Sequence, residues 1–216
     1  MTVTILIAED HCILREGLSQ LLAHQPGFRV VGEASNGREA VERTCTLTPT
    51  LVIMDVGLPD LNGVEATRRI RQECTPPPKI IALTARADRK TALEMLQAGA
   101  WGYVLKDAPF DELLQAIHLV LRGTHYLCPA VADLLLTDFL AGPTDTPGII
   151  ASALTSRERE VVQLLSEGHS TKEIAVTLHL SPTTVESYRK NIMAKLDLHT
   201  VADLTKYAIR EGLTNL

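Results

Sequence analysis

Residues 51–60 read LVIMDVGLPD: an apolar run that ends on a carboxylate, Asp55, with Gly57 and Pro59 turning the chain just beyond it. Three other apolar runs end on polar groups in the same way. VTILIA leads into Glu9 and Asp10, KIIAL leads to Thr84, and WGYVL leads to Lys106. If these runs are neighbouring strands, their tips converge at one end of a sheet. Three carboxylates held together repel one another and attract a hard cation such as Mg²⁺, which takes oxygen ligands. A carboxylate is also a nucleophile toward phosphorus, giving an aspartyl phosphate. Beside it, a threonine hydroxyl can donate to a phosphoryl oxygen and a lysine can add a positive point charge.

The elements that must position these groups are legible through residue 124. Strand patterns at VTILIA, FRVVGEA, LVIMD, KIIALTA and WGYVLKD alternate with helical ones at CILREGLSQLLAH, NGREAVERTCTL, GVEATRRIRQEC, RKTALEMLQAG and PFDELLQAIHLVLRG. Asn36, with Glu39 three residues on, predicts an N-cap. Regular strand–helix alternation with near-continuous apolar strands predicts an α/β domain: a parallel sheet covered by helices on both faces. Sites in such sheets form beyond the carboxyl ends of the strands, where these side chains lie.

Residues 125–150 change character. They carry no Lys or Arg and three acids, and GPTDTPG is a cluster of breakers. This stretch is expected to be a linker containing a helix over 129–141. Residues 151–216 show only helical patterns, so an all-α domain follows. Thr155 with Glu158 and Ser170 with Glu173 predict capping boxes. Ser181 followed by Pro182 predicts a further helix start, and Thr200 another. On the helix 182–196, Val185, Tyr188, Ile192 and Leu196 share one side, and Thr183, Ser187, Lys190 and Ala194 lie opposite, with Asn191 at the edge. A small, polar, basic face on the second helix of a helix-turn-helix suits a DNA major groove. Arg189, Lys190 and Lys195 against Glu186 make this helix locally basic, although residues 151–216 hold eight basic and eight acidic residues.

Composition excludes some classes. With 45% hydrophobic and 22% charged residues the chain is ordinary and globular. No apolar run reaches the ~18 residues of a membrane span, and MTVTILIAED lacks the basic start of a signal peptide. The expectation is a cytoplasmic protein. Cys12, Cys45, Cys74 and Cys128 form no CxxC and no zinc-like spacing, so they are expected to be small buried or semi-buried thiols, with a redox switch as the remaining reading.

Residues 3–124 resemble a response-regulator receiver domain, through AEDH, LVIMDVGLPDLNGVEATRRIR, IIALTA and GYVLKD in that order. The resemblance implies a flavodoxin-like (βα)5 fold with a five-stranded sheet in the order 2-1-3-4-5. It implies Asp55 as phospho-acceptor, with Glu9, Asp10, Asp55 and the Gly57 backbone carbonyl as Mg²⁺ ligands. Thr84 and Lys106 are then the phosphoryl-contacting pair and Tyr103 the switch aromatic. Glu9 replaces the first of the common Asp pair, VGLP stands where LxMP is usual, and Asp107 follows Lys106 where many receivers have proline.

Residues 152–213 resemble the LuxR-type helix-turn-helix of NarL/FixJ-type regulators. By that resemblance Thr183, Thr184, Glu186, Ser187 and Lys190 lie toward bases, and Lys172, Arg189 and Asn191 toward phosphates. Glu186 stands where many relatives have lysine, and Tyr188 where many have histidine. The implied protein is a two-component transcriptional regulator rather than an enzyme. A sensor histidine kinase charges Asp55, a homodimer forms on activation through helix 200–212, and double-stranded DNA is read as inverted half-sites. The alternative keeps the fold but regulates the receiver by partner binding without phosphate. Haloacid dehalogenase-type hydrolases, which also use a strand-tip aspartate, need a second acid where this chain has Gly57.

Overall fold

The computed structural model describes residues 2–140 and 154–214. The chain divides into two compact units. The first contains β1 (Val3–Ala8), α1 (Cys12–Ala23), β2 (Phe28–Ala34), α2 (Gly37–Leu47), β3 (Leu51–Asp55), α3 (Gly63–Glu73), β4 (Lys79–Thr84), α4 (Arg89–Ala98), β5 (Gly102–Leu105), α5 (Phe110–Leu121), β6 (Tyr126–Leu127) and α6 (Pro129–Leu140). The second contains α7 (Ser156–Ser166), α8 (Thr171–Leu178), α9 (Pro182–Leu196) and α10 (Val201–Arg210).

The sheet of the first unit is parallel, in the order β2-β1-β3-β4-β5-β6. The order of its first five strands is the one the receiver resemblance implies. Successive strand residues face opposite sides, which divides the core in two. Ile5, Ile7, Leu51 and Ile53 pack with Leu18 and Leu22 of α1 and with Leu113, Ile117 and Val120 of α5. Leu6, Ala8, Val52 and Met54 pack with Ala40 and Val41 of α2 and with Ala66 and Ile70 of α3. Both faces being covered explains why the central strands read as unbroken apolar runs.

Three features depart from the sequence expectations. A sixth strand extends the sheet, with Tyr126 and Leu127 pairing with Gly102 and Tyr103. Two residues are too few to show a period, so this strand left no sequence signal. The segment after residue 124 is therefore not a linker at its start. α6 follows β6, and its Val131 together with Cys128 is buried against Ala92, Met95 and Tyr103. The GPTDTPG cluster lies outside the described residues. Finally, Cys45 and Cys74 are not independent thiols: a disulfide joins them with Cα atoms 4.9 Å apart. They are 29 residues apart in sequence and meet because the end of α2 packs on the end of α3. Cys12 and Cys128 are free, one exposed and one buried.

The second unit has a separate core. Val161, Val162, Leu165, Ile174, Leu178, Val185, Ile192, Leu204 and Ala208 form it. Its helix starts are built as the sequence predicts. Thr155–Glu158 and Ser170–Glu173 are reciprocal capping boxes, and the side chains of Ser181 and Thr200 accept from the backbones of Thr184 and Asp203. Each such cap satisfies helix N–H groups that would otherwise lack partners, worth roughly 1 kcal/mol.

Candidate functional site

The strand register brings the sequence-selected side chains of the first unit together. Ala8 pairs with Met54, Asp55 with Leu83 and Thr84 with Leu105, so Glu9, Asp55, Thr84 and Lys106 emerge at one end of the sheet. Glu9 is fully buried and Asp55 is 3% exposed. Two ionised carboxylates at such burial need a counter-charge. The Lys106 ammonium supplies it, 2.9 Å from Glu9 Oε1 and 2.9 Å from Asp55 Oδ2. Burial, followed by the neighbouring Glu9 charge, raises the Asp55 pKa; Lys106 and the Gly57 N–H oppose that rise. The Gly57 N–H donates to Asp55 Oδ1 at 3.0 Å.

The turn beyond Asp55 is held by close backbone approach. Gly63 N–H donates to Val56 O, and a Cβ on Gly63 would lie 2.2 Å from the Asp55 carbonyl oxygen. Any larger residue would push the end of β3 that carries Asp55 aside. Asn62, buried, caps α3 by accepting from the Glu65 N–H. Thr84 is buried at the end of β4, and its hydroxyl accepts from the Arg86 N–H. Tyr103 is wholly buried and its hydroxyl donates to Arg86 O at 3.1 Å. Burial pushes its phenol up to about 12, against a smaller opposing effect of Thr84.

Two residues of this site were not selected from sequence. His11 sits at the N-cap of α1 but makes no capping bond. Its Nδ1 instead lies 2.9 Å from Glu9 Oε1 and 2.8 Å from Asp10 Oδ1, and the hydrogen bond to Glu9, then the Asp10 charge, raises its pKa. Arg15, one turn on, donates to the Glu9 carbonyl at 2.6 Å and so fastens the loop that carries both acids. A histidine directly after an acid pair and an arginine four residues further were the available signals.

Glu9, Asp10, His11 and Asp55 each offer a ligand atom, all within 4.8 Å of one another. The donor set is mainly carboxylate oxygen, as a hard divalent cation requires. Glu9 Oε2 also fits: it is buried and has no hydrogen-bond partner among the described residues, with the Lys106 ammonium 2.9 Å away. The cluster is thus consistent with a metal site.

In the second unit, Lys172, Thr183, Glu186, Ser187, Lys190 and Asn191 are exposed, and Thr184 and Arg189 are half-buried. Val185 and Ile192 are buried, with Tyr188 and Leu196 packed on the same core, so the two faces of α9 divide as the spacing predicts. Two charges are committed within the fold. Lys195 pairs with the buried Glu158 of α7 at 2.6 Å. Glu186 accepts from Thr171 of α8 at 2.8 Å, a tie between the two helices of the helix-turn-helix. The outer face of α9 therefore carries Arg189 and Lys190, without the Lys195 that the sequence count included.

A doubly wound parallel sheet with an acidic pocket, a conjugate lysine and a threonine at its strand ends, joined to a capped helix-turn-helix, defines a signalling receiver coupled to a nucleic-acid-binding module. Comparison with known proteins makes this specific. Residues 5–118 match the response regulator receiver domain, and residues 152–208 match the bacterial regulatory proteins of the luxR family. The chain is 36% identical to the response regulator UvrY of Escherichia coli K12 over 99% of this chain and 96% of that one. It is 36% identical to the oxygen regulatory protein NreC of Staphylococcus carnosus, over 97% and 98% of the two chains. Among solved structures, RcsB from Salmonella enterica serovar Typhimurium is 26% identical with a TM-score of 0.61, covering 96% of this chain and 98% of that one. That RcsB structure is bound to a promoter in the presence of the phosphomimetic BeF3−. The chain belongs to the two-component response regulators with a LuxR-type DNA-binding domain. None of its described helices is long and apolar enough to cross a membrane.

Proposed function

We propose that the chain is a cytoplasmic transcription regulator switched by phosphoryl transfer to Asp55 from a sensor histidine kinase. The observation that carries this reading is Asp55 itself: a buried strand-tip carboxylate, paired to Lys106 and beside Glu9 and Asp10. In the transfer, an Asp55 carboxylate oxygen bonds to phosphorus as the phosphorus–nitrogen bond of the phosphohistidine breaks, giving an acyl phosphate and freeing the imidazole. Mg²⁺, held by Glu9, Asp10, Asp55 and the Gly57 carbonyl, would supply charge neutralisation for the phosphoryl oxygens. Lys106 then moves its pairing from the carboxylate to a phosphoryl oxygen. The Thr84 hydroxyl donates to another, and the change at Thr84 passes through Arg86, whose N–H donates to Thr84 and whose carbonyl accepts from Tyr103.

The output is DNA binding by α9. Thr183, Thr184, Ser187 and Lys190 face base edges, and Lys172, Arg189 and Asn191 face phosphates. Glu186 reads a base only by sharing its carboxylate with Thr171. RcsB has been solved as dimers on DNA, and by that likeness this chain binds as a homodimer; α10, the last helix of the LuxR-type unit, is its proposed pairing surface. One such helix reads only a half-site, so pairing multiplies affinity and specificity.

The test is intact mass after incubation with a small phosphodonor, with and without Mg²⁺, beside Asp55→Asn. One Mg²⁺-dependent phosphoryl group, absent in the variant, is the expected result. No addition to well-folded protein, even with kinases able to charge related receivers, turns the reading to a receiver controlled by partner binding alone.

A further inference from the structure

We propose that Cys45 and Cys74 are a reversible dithiol–disulfide modification site, with low-molecular-weight disulfides of the glutathione class as its reactant. The cytoplasmic placement proposed above supplies the compartment; the bridge itself is a feature of the fold. Glutathione and thioredoxin keep cytosolic thiols reduced, and disulfides that do form in cytosolic proteins are usually transient, catalytic or redox-sensing. A bridge in such a protein therefore marks a site that cycles.

The geometry allows cycling and gives it a consequence. Cys74 is 5% exposed, whereas Cys45 is half-buried, so a small thiolate reaches the bridge through Cys45 Sγ. Its attack forms a mixed disulfide on Cys45 and releases Cys74 as the thiolate. A second small thiol attacks the small-molecule sulfur of that mixed disulfide and releases Cys45. The cysteine pair gains two electrons and two protons, and two small thiols leave as one disulfide; oxidation is the reverse.

The bridge closes a chain segment that contains all of β3, Asp55 and the Gly57 turn. The other end of α2 is already anchored to that turn. Gly37 N–H donates to Pro59 O, and a Cβ on Gly37 would lie 1.7 Å from Leu61 O. In the oxidised protein α2 is thus held at both ends against the phospho-acceptor segment, and in the reduced protein at one. The partners of the Asp55 carboxylate, Lys106 and Gly57, involve neither cysteine. Both states therefore keep the acidic pocket, and what the modification sets is the stability of the α2–β3–α3 segment.

The experiment equilibrates the full chain anaerobically in glutathione buffers of increasing oxidised fraction. Differential alkylation with peptide mapping then scores each cysteine, and thermal unfolding is followed on the same samples. The Cys45–Cys74 bridge is expected to pass from nearly absent to nearly complete across the series, while Cys12 and Cys128 stay unbridged. The receiver transition should rise by roughly 5–10 °C with the bridge, and should stay constant in Cys45→Ser and, independently, in Cys74→Ser. A pair that stays dithiol throughout overturns the proposal, as does a bridge that persists in the most reducing buffer. A bridge that forms without moving the transition overturns its action on the fold.

Discussion

The Lys106 ammonium bridges two carboxylates that the fold has almost removed from water, so Lys106→Met tests the electrostatic account of the pocket directly. Glu9 is 0% and Asp55 3% exposed, and each has an oxygen 2.9 Å from the ammonium. At an effective dielectric constant of about 20, each attraction is gross about 6 kcal/mol at that distance. The cost of desolvating the ammonium cancels much of it, and breaking a buried pair typically costs about 3–5 kcal/mol net. The Lys106 side chain is 16% exposed, so the lower value, ~3 kcal/mol, is expected. For a unit of this size that is a fall of roughly 10 °C in Tm at pH 7 without divalent cation.

The pH dependence has a definite sign. Asp55 already has a raised pKa, from burial and then from Glu9. A carboxyl raised in the folded state binds protons on folding, so its unfavourable contribution sets in as pH rises from the unfolded value through the folded one. Without Lys106 the pKa climbs further, and the variant should regain stability on acidification from pH 7 toward 5. Lys106 itself is raised, and its contribution is lost only above its unfolded pKa near 10.5, outside that window. His11, also raised, adds stability to both proteins as pH falls, so the expected readout is the gap between wild type and variant, which should narrow. Millimolar Mg²⁺ should narrow it too, by replacing the lost positive charge. Thermal unfolding at pH 5, 6 and 7, with and without Mg²⁺, is the assay. A variant as stable as wild type at pH 7, or a gap indifferent to both pH and Mg²⁺, would refute the reasoning.

Other perturbations probe the remaining parts. Gly37→Ala places a Cβ 1.7 Å from the Leu61 carbonyl oxygen, and should cost about 1–3 kcal/mol and slow phosphodonor labelling of Asp55, read by urea unfolding and intact mass. In the second unit, burial would raise the Glu158 pKa, but Lys195 and Thr155 outweigh it and hold the carboxylate below its usual range. Its stabilisation is then present above the unfolded pKa of about 4.5 and lost as pH falls through the folded value. Lys195→Met should therefore lower the Tm of residues 154–216 at pH 7 and match wild type at low pH, by calorimetry. Lys190→Ala and Arg189→Ala should each weaken DNA binding. If Arg189 contacts phosphate, its loss lowers the slope of log K against log salt by about 1, while loss of a base-reading Lys190 relaxes sequence preference instead; fluorescence anisotropy over a salt series separates the two.

The local grammar of this chain was readable without coordinates. Strand and helix periods, the N-caps at Asn36, Thr155, Ser170 and Ser181, and the core stripe of α9 depend on residues a few positions apart, and those spacings are set by backbone geometry. The strand-tip polar residues were equally visible, because a run of buried apolar residues ending in Asp or Lys is a one-dimensional pattern. What joined those tips into one pocket was the parallel register, with Asp55 beside Leu83 and Thr84 beside Leu105. Register is a long-range property, and no local spacing encodes it. The same holds for the features the sequence reading missed. β6 exists because β5 offers an unpaired edge. Cys45 meets Cys74 because α2 lies against α3. His11 and Arg15 serve the acidic loop because α1 turns back over it. Lys195 and Glu186 read as groove charges until packing gave them Glu158 and Thr171 as partners. Spacing along the chain determines which side chains share a face; only packing between elements decides what that face meets.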